Sequence, residues 1–170
     1  MTQYPTWALA LALCVASLTT AASQTASDVE TLDPKDAPRL VAALITCKGA
    51  SGPVTRRAFA GGFVFAQACA GGADLKYNHV FANDKDGGGA RLLQFHRPEG
   101  RRVSALGDVV YGPNGTEIAG TVGRLSRRIC RAEGRWRMEG KTPSPTLVYW
   151  RQTRDCDGKT GWLVIVNRKG

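Results

Sequence analysis

The sequence predicts a mainly β fold: a small antiparallel sandwich or barrel-like meander with a short N-terminal helix and two disulfides. Three observations lead there. Short runs of alternating or apolar residues recur between Gly, Asn and Asp turn signals. Asn114-Gly115 is a strong hairpin dipeptide, and Asp157-Gly158 is a second turn. Four cysteines, Cys47, Cys69, Cys130 and Cys156, follow a segment that reads as an export signal.

The elements follow in order. Residues 1–23 contain no Asp, Glu, Lys or Arg, and 7–18 form an apolar stretch of signal-peptide length. Ala21 and Ser23 give a small-x-small site for cleavage before Gln24, which would remove Cys14. A polar, flexible leader is expected over 24–35, and a single disulfide-stapled, β-rich domain over 36–170. A short helix is expected from Asp36 to about Thr46, with Pro38 near its start, where a missing N–H costs little. The chain then turns over 49–53.

Strand signals dominate thereafter. The run 59–69 is apolar and interrupted by Gly61-Gly62, and 77–83 is a second candidate strand. Asp86 and Gly87–Gly89 make a turn. Strands are expected over 91–96, 104–111 and 117–122. Trp136 and Met138 alternate with Arg135 and Arg137, giving one apolar and one cationic face. Pro143 and Pro145 break that strand; 147–152 and 162–166 are the last two.

At 170 residues the chain suits one domain. Its 43% hydrophobic and 22% charged residues are those of a globular protein and argue against disorder. No apolar run is long enough to span a bilayer, so no transmembrane span is expected after signal cleavage. The address implied is periplasmic or secreted. Even cysteine numbers in an exported chain read as disulfides. Of the three pairings open to four cysteines, Cys47–Cys69 and Cys130–Cys156 is favoured, because each bridge then stays within its own half. There is no C-x-x-C, P-loop, G-x-S-x-G or H-E-x-x-H, so no metal and no cofactor is expected. Asp84-Lys-Asp86-Gly87 opens like a calcium loop, but Phe95 stands where the closing acid belongs.

The net charge is +9, and residues 37–170 hold 22 basic against 10 acidic groups. Such a domain attracts polyanions: nucleic acid, anionic lipid or acidic glycan. The densest cationic stretch contains Arg124, Arg127, Arg128, Arg131, Arg135 and Arg137, with Trp150 and Arg151 further along. Arginine interleaved with aromatics suits phosphate contact and base stacking. The first expectation is thus a non-enzymatic binding module with a basic face, whose partner is a polyanion or another envelope protein. The alternative is a metal-independent ribonuclease. His79 and His96, the only two histidines, would supply base and acid, and Lys141 a cation for the phosphorane. Tyr77-Asn-His79-Val-Phe81 and Gln94-Phe-His96 resemble the paired-histidine strands of EndoU-type ribonucleases. That enzyme needs both imidazoles and Lys141 in one cleft; the binding module does not.

Short motifs from about residue 60 to 168 also form an ordered series. They run from Cys69-Ala-Gly-Gly-Ala-Asp-Leu-Lys-Tyr77-Asn78 through Asp86-Gly87 and Leu92-Leu93-Gln94-Phe95. Gly123-Arg124-Leu-Ser-Arg-Arg-Ile-Cys130, Gly134-Arg135-Trp136 and Cys156-Asp157-Gly158 with Trp162 complete it. The series resembles the exported proteobacterial family known as domain of unknown function 1176. The resemblance implies an exported domain with a Cys130–Cys156 bridge, and carries over no catalytic residue.

Overall fold

Alternating side chains and tight turns lay the chain down as a meander, in which each strand pairs with its neighbour in sequence. The computed structural model describes residues 29–69, 75–123, 125–126, 128–139, 144–157, 159 and 161–168. The expected signal peptide and residues 24–28 of the expected leader lie outside them.

The strands are β1 (Glu30–Leu32), β2 (Ala50–Phe59), β3 (Gly62–Cys69), β4 (Lys76–Ala82), β5 (Arg91–Leu92) and β6 (Phe95–His96). They continue with β7 (Arg102–Val103), β8 (Ala105–Tyr111), β9 (Glu117–Thr121), β10 (Arg131–Glu139), β11 (Ser144–Thr153) and β12 (Leu163–Asn167). The main sheet is antiparallel in the order β1-β2-β3-β4-β8-β9-β10-β11-β12, with β5 beside β4 and β6–β7 as a separate hairpin. The mainly β class and the antiparallel meander are those the sequence predicts.

The sheet folds over on itself around one core. Phe59, Val64 and Phe81 from β2–β4 share that core with Leu106, Ile118, Trp136 and Trp150 from β8–β11, and Phe95 of β6 is wholly buried among them. Trp136 is its centre, against Phe95 at 5.1 Å and Trp150 at 6.3 Å between centroids. Its indole N–H donates to the His96 carbonyl at 2.8 Å. The β2–β3 turn reaches the β8–β9 turn through a hydrogen bond from Ala60 N–H to the Gly115 carbonyl, at 2.7 Å.

The other face of β2–β5 is covered by α1 (Arg39–Leu44), whose Val41 packs with Val54, Phe65, Val80 and Ala82. β3 and β4 are therefore buried on both faces, which explains their nearly continuous apolar character. The disulfides are Cys47–Cys69, from the loop after α1 to the end of β3, and Cys130–Cys156, from the start of β10 to the loop after β11.

Three local expectations need correction. Residues 50–53, read as a turn, belong to β2; Gly52, at φ 73°, and Pro53 sit in a register shift between Ser51 and Val54, where neither disturbs the ladder. Pro145, read as a strand breaker, pairs with Met138 inside β11. β12 pairs only with 149–152, so Pro145 sits on a free edge, where its missing N–H is tolerated. Residues 30–32 of the expected leader form β1, paired with 54–56 of β2.

Candidate functional site

The polar side chains that line the space between the two halves of the sheet come mainly from β4 and β8. In β4, Tyr77, His79 and Phe81 point to the inner face, while Asn78 faces α1 and accepts from the Thr46 N–H at 3.1 Å. Cross-strand register then places Ala66 beside His79, and Thr55 beside Ala66. Opposite them, β8 pairs with β4 only through 105–107. A register shift follows between Gly107 and Val110, and Asp108 within it has φ 45°. That left-handed backbone is uncommon outside glycine, and Asp is among the residues that adopt it most readily. Beyond the bulge, Tyr111 meets residues of the first half. Its ring lies 5.8 Å from that of Phe59 and 6.2 Å from that of His79, and the Arg57 guanidinium sits 4.0 Å above it.

The bulge leaves a cavity of about 460 Å³, lined chiefly by Ala66, Tyr77, His79, Asp108, Tyr111 and Thr121. His79 is fully buried, and neither of its ring nitrogens makes a well-formed hydrogen bond among the described residues, although the Tyr77 backbone lies close enough to interact weakly with the ring. Burial drives its pKa from 6.5 to about 4, which the nearby Tyr77 backbone offsets only in part. The ring is therefore a neutral imidazole near pH 7, with one N–H to give and one lone pair to offer. Burial likewise pushes the Tyr111 phenol up to about 12, against the opposing pull of Arg57 and with a small addition from Tyr77. The Asp108 carboxylate accepts from Thr121 Oγ1 at 3.3 Å and from the Arg131 guanidinium at 3.2 Å.

The residues chosen from sequence fall in several places. His79 lines this cavity, whereas His96 borders a separate depression of about 340 Å³ with Arg91, Gln94, Arg102 and Pro145. Alternation along β6 explains the separation, since Phe95 takes the core and packs its ring 5.6 Å from His79, leaving His96 turned the other way. The two imidazoles do not share a cavity, and Lys141 lies outside the described residues. The paired-histidine ribonuclease constellation is thus not assembled among the described residues.

Arg124 and Arg127 also lie outside the described residues. Arg131, Arg135, Arg137 and Arg151 project from the outer face of β10 and β11, and carboxylates meet three of them. Arg131 bridges Asp108 and Glu133, Arg137 pairs with Glu117 at 2.8 Å, and Arg151 reaches Glu133 at 2.7 Å. Arg135 lies over the Tyr149 ring at 5.5 Å. Arg128 is exposed beyond this strip. Trp150, expected among the binding residues, is only 1% exposed, because its position in β11 faces the core and not the arginines.

Tyr77 and Tyr111 were not legible as site residues. The available signal was a histidine inside the otherwise buried run of β4, which marks a polar group in need of a partner. No family model matches the chain, and no curated protein or solved structure matches it significantly. The resemblance to domain of unknown function 1176 rests on its motifs alone.

Proposed function

We propose that the protein is an exported, non-enzymatic binding module whose ligand occupies the cavity between the two halves of the sheet. One observation carries the reading: His79 is wholly buried, lines that cavity, and makes no well-formed hydrogen bond through either nitrogen among the described residues. An unsatisfied buried polar group costs about 1–3 kcal/mol, so a hydrogen-bonding molecule that reaches the ring from the cavity recovers that cost. The cavity has the size of small-molecule sites, and its wall mixes apolar side chains with a few converging polar groups. The two disulfides fit an oxidising compartment.

Polyanion binding by the arginine face has less support. Arg131, Arg137 and Arg151 are matched locally by Asp108, Glu117 and Glu133, which lowers the field they offer to an outside phosphate.

The test is NMR of the oxidised protein with four small probes at millimolar concentration: catechol, methyl β-glucopyranoside, benzoate and benzylammonium. Shift changes should concentrate at Ala66, His79, Val109 and Thr121 with at least one probe. They should vanish in the cavity-filling variant Ala66→Leu. Changes centred on Arg135 and Tyr149, or none anywhere, would overturn the cavity as the binding site.

A further inference from the structure

We infer that the buried end of the ligand is an uncharged ring carrying hydroxyl groups. The inference rests on the cavity being the binding site, and deepens that reading by naming the chemistry.

The first argument is donor and acceptor matching. His79 presents one donor and one acceptor as a neutral imidazole. The phenols of Tyr77 and Tyr111 border the same space, and neither makes a hydrogen bond among the described residues. The two threonine hydroxyls on the wall already have acceptors: Thr55 donates to the Ala66 carbonyl at 3.3 Å, and Thr121 donates to Asp108. The open positions are therefore groups that both give and take a hydrogen bond. Hydroxyl groups do the same, so hydroxyls on the ligand satisfy imidazole and phenols together without burying a charge.

The second argument is charge. Asp108 is the only formally charged residue on the wall among the described residues. It is 73% exposed and already holds Arg131 and Thr121. An anion at the His79 end would meet no cation on the wall. Arg57, the cation beside Tyr111, is stacked on that ring and is not part of the lining. An ammonium at the same end would meet no carboxylate, because Asp108 is tied to the exposed side of the bulge. Desolvating either ion without a partner costs far more than desolvating a hydroxyl that is hydrogen-bonded on arrival.

The third argument is shape. Ala66 and Gly107 keep the wall low, and a Cβ on Gly107 would come within 2.6 Å of Thr121 Oγ1. Leu75, Val109 and the rings of Tyr77, Tyr111 and His79 supply apolar surface around the polar groups. A cyclic molecule presents apolar faces to such walls while its rim carries the hydroxyls. Both a phenol and a sugar ring have this chemistry, and the probes separate the two.

The experiment measures affinities of the full oxidised chain, labelled with ¹⁵N-histidine, for catechol, methyl β-glucopyranoside, benzoate and benzylammonium at pH 7. Catechol or the glucoside should shift the His79 ring nitrogens and bind at least tenfold more tightly than either ion. Whichever of the two binds identifies the source as aromatic or sugar. Tyr77→Phe and Tyr111→Phe, which each remove one oxygen and keep the ring, should weaken that binding roughly threefold to tenfold, the worth of one hydrogen bond. Benzoate or benzylammonium binding at His79 as tightly as the neutral rings would overturn this inference while leaving the cavity as the site. Full affinity in both phenylalanine variants would overturn it as well. Failure of all four probes to move His79 would overturn the cavity reading and this inference with it.

Discussion

Acid should destabilise this protein through one proton on His79. The group is enclosed by Tyr77, Tyr111 and Phe95, with the Asp108 carboxylate on the exposed side of the bulge and Arg57 beyond the Tyr111 ring. An imidazolium there would lose its water and gain only weak help from the Tyr77 backbone, so the folded pKa lies near 4 against 6.5 for the free side chain. Between those values the unfolded chain binds a proton that the folded chain refuses. Stability is therefore full above pH 6.5, falls as the pH drops toward 4, and changes no further through this group below that. At 1.36 kcal/mol per pKa unit the loss amounts to about 3 kcal/mol, and its slope is about 1.4 kcal/mol per pH unit. A loss of that size is a large share of a small domain's stability. The assay is urea denaturation at a series of pH values from 8 to 4, for the natural protein and for His79→Phe, which keeps a ring and removes both nitrogens. The window from pH 6.5 to 5 is the cleanest, because most carboxylates stay ionised there. The stability of the natural protein relative to His79→Phe should fall by about 2 kcal/mol across it. An equal acid slope in His79→Phe would refute the reasoning, as would an NMR titration of the folded imidazole near pH 6.5.

Three further outcomes are expected. Replacing Cys47 and Cys69 together by alanine should cost about 3 kcal/mol in denaturation under oxidising conditions, because the bridge closes a loop with a sequence separation of 22. Gly134→Ala should lower stability by about 1–3 kcal/mol, since the added Cβ would lie 2.2 Å from the Trp136 indole, and a calorimetric Tm measures the loss. Trp136→Phe should cost about 1–3 kcal/mol beyond the lost apolar area, because the His96 carbonyl loses its indole partner, and a double-mutant comparison with Trp150→Phe separates that bond from packing.

Much of the fold was legible in the residues, for local reasons. The Asn114-Gly115 turn, the alternation around Trp136 and the apolar run at 63–69 each fix a strand or hairpin without help from distant chain. Turn chemistry misled where tertiary position decides. Gly52 and Pro53 look like a loop until the pairing of β2 with β3 resumes on both sides of them, and Pro145 looks like a breaker until β11 is seen to have a free edge there among the described residues. The site was less legible for the same reason. Sequence singled out His79 as chemically notable and paired it with His96, because spacing along the chain says nothing about which side of β6 faces the core. Tyr77 and Tyr111 are 34 positions apart and meet only because β8 bends at Asp108.

Ion pairing within the sheet also bears on what the net charge can imply. A chain at +9 advertises its arginines, but antiparallel register sets Arg151 against Glu133 and sets Arg137 against Glu117. These pairs form across neighbouring strands, where opposite charges support the sheet by a few tenths of a kcal/mol each. Arg137 and Arg151 are thereby occupied in holding strands in register. Arg131 reaches further, to Asp108. It thus holds the carboxylate of the residue whose backbone opens the cavity. The cationic face and the cavity are in this sense joined, with Arg131 bracing the bulge that borders the cavity.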